Sequence, residues 1–153
     1  MIPASHLHAM MVHFPIALLL VGFLSEIIAL ITKKKIFNQS AFYLLLLGTL
    51  GTIASYIAGN AAGEGIEEGA LAKALNLHEQ AATIAIWLSI LTTAIYLFMV
   101  VFKYEKIWIK AVSVILFAGL IGAIASTGYL GGQLVYKHGA GVELGLPDFS
   151  KKE

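Results

Sequence analysis

The chain contains no cysteine and no arginine. Without cysteine there is no disulfide, no thiolate metal site, no cysteine-ligated iron–sulfur cluster and no covalent c-type haem, which requires C-x-x-C-H. Without arginine there is no bidentate clamp for phosphate or carboxylate, and all ten cations are lysines. Charge of either sign is scarce, at 12% of residues, about half the usual share for a soluble domain. The net charge of +1 supplies no field suited to nucleic acid. The usual catalytic signatures are missing as well. There is no H-E-x-x-H, no P-loop, no G-x-S-x-G and no Ser-His-Asp spacing. His78-Glu79 lacks the second histidine, because Ala82 stands in its place. These absences argue against an ordinary hydrolase.

What the chain has is apolar sequence. Of its 153 residues 59% are hydrophobic, and the mean hydropathy is +0.85. A soluble protein of this size cannot hide that much apolar surface, whereas a bilayer solvates it. Four segments, about 7–31, 41–60, 78–102 and 107–129, each have the roughly 20 apolar residues needed to cross a hydrocarbon core. In lipid such segments must be helical, since each backbone polar group needs an internal partner. Short connections make neighbours antiparallel. The expected fold class is therefore all-α, an integral membrane up-and-down four-helix bundle forming a single domain over residues 1–153. The first apolar run lacks a cationic leader and an A-x-A site, so it reads as a span and not as a removed signal peptide.

The lysines orient the bundle. Lys33, Lys34 and Lys35 follow span one, and Lys103, Lys106 and Lys110 surround the turn between spans three and four. The loop between spans two and three carries only Lys73, against Glu64, Glu67 and Glu68. The first two loops are expected inside the cell, with both termini and the 60–77 loop outside. Lys137, Lys151 and Lys152 in the outer tail run against this pattern. Tyr104 and Trp108 fit an inner aromatic belt, and Tyr129 and Tyr136 an outer one. Small residues in spans two and four (Gly48, Gly51, Ser55 and Gly59, then Gly119, Gly122, Ala123 and Ser126) suit close helix packing. Ile66, Ala70, Leu71, Ala74 and Leu75 suggest a short amphipathic helix on the outer surface.

The histidines are asymmetrically placed. His6, His8 and His13 precede or open span one, His78 opens span three, and His138 follows span four. Alternating helix direction brings all five to the expected outer face. His13 lies about 30 Å along the helix from Lys33, and His78 about 37 Å from Lys103, near the edge of the hydrocarbon core. His8 and His13 are about 140° apart around a helix, so they meet different neighbours. Pro15 cannot donate to the carbonyl of Met11 and should bend span one beside His13. An imidazole in an apolar span needs a partner, which makes His8, His13, His78 and His138 the candidate cofactor ligands. Glu26 is the lone carboxylate inside a span; it pairs with a lysine, carries a proton or packs through a hydrogen bond.

At these residues the sequence resembles a known bacterial family. His8-Ala9-Met10-Met11-Val12-His13-Phe14-Pro15-Ile16-Ala17-Leu18 is similar to the opening H-P-x-x-V-H-F-P-I-A-L of the membrane domains catalogued as DUF2231. Gly131-Gly132-Gln133-Leu134-Val135-Tyr136-Lys137-His138-Gly139-Ala140-Gly141-Val142 is similar to that family's closing G-G-x-L-V-Y-x-H-G-x-G-V. His78 opening the third span also fits, while Ala9 replaces the commoner proline. The resemblance implies a bacterial cytoplasmic-membrane protein and, by its company with cytochrome and Rieske-type modules, a place in redox chains.

Three functions are then expected in order. The first is binding of haem b for electron transfer, with His13 and His78 ligating iron from diagonal helices and His8 and His138 as a second pair or supporting shell. Lys73 and Lys137 would neutralise propionates, with Tyr136, Glu26 and Glu79 as further supporting residues. Partners would be the lipid bilayer, a quinone or periplasmic redox proteins, with a homo-oligomer allowed. The second is a copper or zinc site on the same histidines, Met10 and Met11 adding soft ligands and Glu64, Glu67, Glu68 and Glu79 oxygen ligands or a second shell. The third is a non-redox membrane scaffold whose histidines pack its outer lid or sense pH.

Overall fold

The computed structural model describes residues 3–104 and 106–142. Four helices follow one another: α1 (Ala4–Thr32), α2 (Lys35–Gly63), α3 (Gly69–Val101) and α4 (Ile107–His138). Each is long and apolar enough to cross a membrane. The helices exceed the apolar spans that define them, because little stops them at the bilayer edge. Of the surface helix expected between Gly63 and Asn76, Ala70, Leu71, Ala74 and Leu75 instead belong to the first two turns of α3, and Ile66 lies in the connection before it. No glycine or proline separates Asn76 from His78, so the helix runs through. It begins at Gly69, whose φ of 88° is one a side chain would resist.

α1 packs along α2 and α3 along α4, as two antiparallel hairpins. α2 lies against α3, and α1 touches α4 only sparsely. α1 and α3 are therefore the diagonal pair. The centre holds Leu19, Leu45, Tyr96, Phe117 and Leu120. Around them the buried side chains are small and polar: Ser25, Thr49, Thr52, Ser55, Ser89, Thr92, Thr93 and Ser113. Large apolar residues such as Leu24, Ile57, Trp87 and Ile115 face outward. This distribution suits lipid, where association depends on close packing and interhelical hydrogen bonds. The Thr49 and Thr93 hydroxyls, 2.7 Å apart, join α2 to α3.

Small residues set the spacing of the first hairpin. A Cβ at Gly48 would come within 2.7 Å of Leu19, and one at Gly51 within 3.2 Å of Pro15. Pro15 is buried, and α1 continues through it. The second hairpin differs from expectation: Gly119 and Gly122 face open space, so packing within the chain does not require them.

The two hairpins share one burial register. Pro15, Leu19, Gly22 and Glu26 of α1 are buried, and so are Ala85, Ser89, Thr92 and Tyr96 of α3, each 70 positions later. Ala41, Leu45 and Gly48 of α2 correspond in the same way to Ser113, Phe117 and Leu120 of α4, 72 positions later.

Candidate functional site

The shared register brings His8 and His78 into equivalent places. The His8 Nδ1 donates to the Ser55 carbonyl on α2 at 2.9 Å. The His78 Nδ1 donates to the Thr127 carbonyl on α4 at 3.1 Å. Each carbonyl is followed four residues later by a glycine that makes room for the ring. A Cβ at Gly59 would lie 2.9 Å from His8 Cε1, and one at Gly131 would lie 3.2 Å from His78 Cε1. Both imidazoles are half-buried. Their centres are 6.2 Å apart and their planes nearly perpendicular, at 88°. Two rings on diagonal helices thus meet across the bundle interior.

The hydrogen bonds decide what the rings offer. A carbonyl can only accept, so each Nδ1 carries the proton. In the neutral ring the lone pair then sits on Nε2. An Nδ1–H held by a backbone carbonyl is the second-shell contact that fixes the tautomer and orientation of a metal-ligating histidine. Ser55 adds a further feature, a buried hydroxyl without a hydrogen-bond partner.

The other expected ligands stand apart from this pair. His13 is exposed, and its Nδ1 donates to the Ala9 carbonyl of its own helix at 2.8 Å. It does not use the Met11 carbonyl that Pro15 leaves free. The separation of His8 and His13 around α1 is therefore realised, with His8 inward and His13 outward. His138 ends α4 in an exposed position, as His6 does near the start of α1. The chain then turns at Gly139 and Gly141, both at positive φ, and Gly141 comes to Ser5. Among the described residues no three His, Asp or Glu side chains gather as a metal site. The expected pairing of His13 with His78 is replaced by His8 with His78, because α1 turns only one of its histidines toward α3.

The supporting residues are scattered. Met10 is 58% exposed and adds no ligand to the interior. Lys73, Lys137 and Tyr136 are exposed. Glu79 is half-buried, with its Oε1 against Gly63. It lines a polar cavity of about 430 Å³ with Tyr56, Asn60, Asn76, Gln80 and Thr83. The Tyr56 and Thr83 hydroxyls, 3.1 Å apart, join α2 to α3 there. Glu26 is fully buried at the opposite, lysine-rich end and pairs with Lys110, whose Nζ lies 2.6 Å from Oε1.

Gly59, expected from the sequence as a packing residue, and Gly131, part of the closing motif, are the positions that seat the two rings. Glycine in an apolar span reads as packing, and only the fold shows which glycine faces an imidazole. Comparison with known proteins fits this architecture. The family model described as "Predicted membrane protein (DUF2231)" matches residues 4–144. No curated protein matches, and no solved structure does.

Proposed function

The chain belongs to the DUF2231 family of predicted membrane proteins, and on that footing we propose that it is a haem b electron-transfer protein in which His8 and His78 would hold the iron. The observation that carries this reading is the pair of opposed imidazoles, each fixed through Nδ1 to a carbonyl of the neighbouring helix. Two imidazoles ligating one metal from opposite sides at about 2.0 Å per bond have ring centres about 6 Å apart. The 6.2 Å between the two rings is compatible with a metal that both Nε2 atoms would hold.

The number of ligands favours haem over a bare ion. Zinc takes about four protein ligands in a structural site and three in a catalytic one. The pair offers two, and Met10 and His13 face away from it. Haem would bring most of the iron's ligands itself and need only two from the protein, which His8 and His78 would provide. Glycines at 59 and 131 let the rings themselves seat against α2 and α4, and the Ser55 hydroxyl on the residue that holds His8 is unpartnered. Haem, when bound, supplies one-electron chemistry. The chain's own part is to hold the two rings in the tautomer and orientation that leave Nε2 available.

The same arrangement carries the wider proposal. The histidine end faces the outside of a bacterial cytoplasmic membrane and the lysine-rich end the cytoplasm, following the positive-inside rule. Electrons enter or leave at the histidine end, exchanged with a membrane quinone or a periplasmic redox protein. A copper reading rests on the same pair, since imidazole also suits copper.

Protein purified from haem-replete cells should show a Soret band, reduced α and β bands and a pyridine haemochrome of b type. His8→Ala and His78→Ala should each abolish the spectrum, while His13→Ala and His138→Ala retain it. Stoichiometric copper without a Soret band would move the assignment to copper. Colourless protein without bound metal would reject both and leave the scaffold reading.

A further inference from the structure

The end of the bundle away from the histidines holds a cavity of about 490 Å³. Lys33, Lys34, Lys35, Lys103 and Lys110 line it, with Asn38, Gln39, Tyr96 and Tyr104 among its other walls. The concentration of cations is unusual for a chain with ten lysines in all. Lys110 is already paired, with Glu26 on one side and the Tyr96 ring 5.0 Å away. That ion pair is the only one among the described residues. The other four ammonium groups are exposed. Glu105, in the loop between α3 and α4, lies outside the described residues.

The backbone around the cavity also suits an anion. The cavity lies at the N-terminus of α2, where no side chain caps the first turn. A 29-residue helix presents partial positive charge and unsatisfied N–H groups there. Tyr96, 2% exposed, forms part of the cavity wall, with Glu26 and Ser113 near its hydroxyl and the Lys110 ammonium over its ring. Lys33 and Lys103 also hold φ of 56° and 52°, a left-handed conformation uncommon outside glycine. Both turns thus place a lysine at the cavity wall.

We propose that this cavity is a binding site for an anionic phosphate group at the membrane surface. The lysines provide charge without bidentate geometry, which suits a phosphate that must enter and leave. Two sources share this chemistry: the headgroup of an anionic phospholipid and a free phosphate compound. Basic pockets between membrane helices favour lipid headgroups on general grounds.

Thermal unfolding separates the outcomes. One arm compares the protein in phosphatidylcholine nanodiscs with and without phosphatidylglycerol. The other titrates detergent-solubilised protein with inorganic phosphate or pyrophosphate at matched ionic strength. A higher midpoint with phosphatidylglycerol alone assigns a lipid headgroup, and a response to inorganic phosphate or pyrophosphate assigns a soluble phosphate compound. Lys33→Gln, Lys34→Gln and Lys103→Gln together should remove the effect, each costing roughly fivefold in apparent affinity. Lys73→Gln with Lys137→Gln, away from the cavity, should leave it intact. Native mass spectrometry of wild-type protein from mixed micelles provides a readout independent of the variants' folding: one retained phosphatidylglycerol, or one phosphate or pyrophosphate, is expected. The proposal is overturned if no probe shifts the midpoint and no adduct is retained. Equal losses in both sets of variants would also overturn it, by showing a non-specific charge effect.

Discussion

At the scale of single residues, two glycines control the candidate site. A methyl group at position 59 would sit 2.9 Å from His8 Cε1 and 3.0 Å from Nδ1. The ring must then leave its bond to Ser55 or push α1 away, an overpacking cost of about 1–3 kcal/mol. Gly59→Ala should therefore lower the unfolding midpoint and shift or abolish the spectrum of the proposed haem. Gly131→Ala should do the same more weakly, since its contact is 3.2 Å. Gly119→Ala, in open space, serves as the control with no effect on either readout. The buried ion pair gives an asymmetric prediction. Lys110→Met leaves Glu26 fully buried without its cation, a loss of about 3–5 kcal/mol. Glu26→Gln leaves a lysine that is 21% exposed and reaches water, so it should cost less. Denaturation in a fixed detergent, with both variants measured side by side, tests the order.

At the scale of helices, the bundle is joined by short polar links inside an apolar exterior. Thr49 and Thr93 provide one between α2 and α3. A double-mutant cycle with valine at both positions should give a coupling of about 0.6 kcal/mol, with a ceiling of about 1.7, as for interhelical hydrogen bonds in lipid. The small value is itself informative, because the hairpins then owe their stability chiefly to packing such as Leu19 on Gly48. Helix ends are where sequence reading fell short. Apolar runs mark the hydrocarbon core, but a helix continues until a glycine or left-handed residue stops it. Gly139 does this well past Tyr129, and α3 already begins at Gly69, well before His78, whereas Lys33 ends α1 where the apolar run itself gives way to lysines.

At the scale of the whole molecule, two hairpins in a shared register place equivalent imidazoles at one end and lysines at the other. On the proposed haem reading, this equivalence predicts that His8→Ala and His78→Ala have matching effects on haem content, within measurement error. A large inequality would mean that only one ring is a ligand. Topology can be tested cleanly because the chain has no cysteine. A single Cys replacing Ser5 should react with a membrane-impermeant maleimide in spheroplasts, and one replacing Asn38 should react only after lysis. The opposite pattern would reverse the proposed orientation.

The sequence alone determined the class of solvent, the number of spans, the antiparallel order and the collection of histidines at one end. These follow from hydropathy and from alternation of direction, which are additive along the chain. It left open which histidine turns inward, which glycines seat the rings, and which lysine meets Glu26. Those choices depend on the rotation of each helix about its axis. A span that is apolar on nearly every face carries little periodic signal for that rotation. Only the tertiary packing, through Gly48 under Leu19 and the carbonyls of Ser55 and Thr127, turned His8 toward His78 and His13 outward.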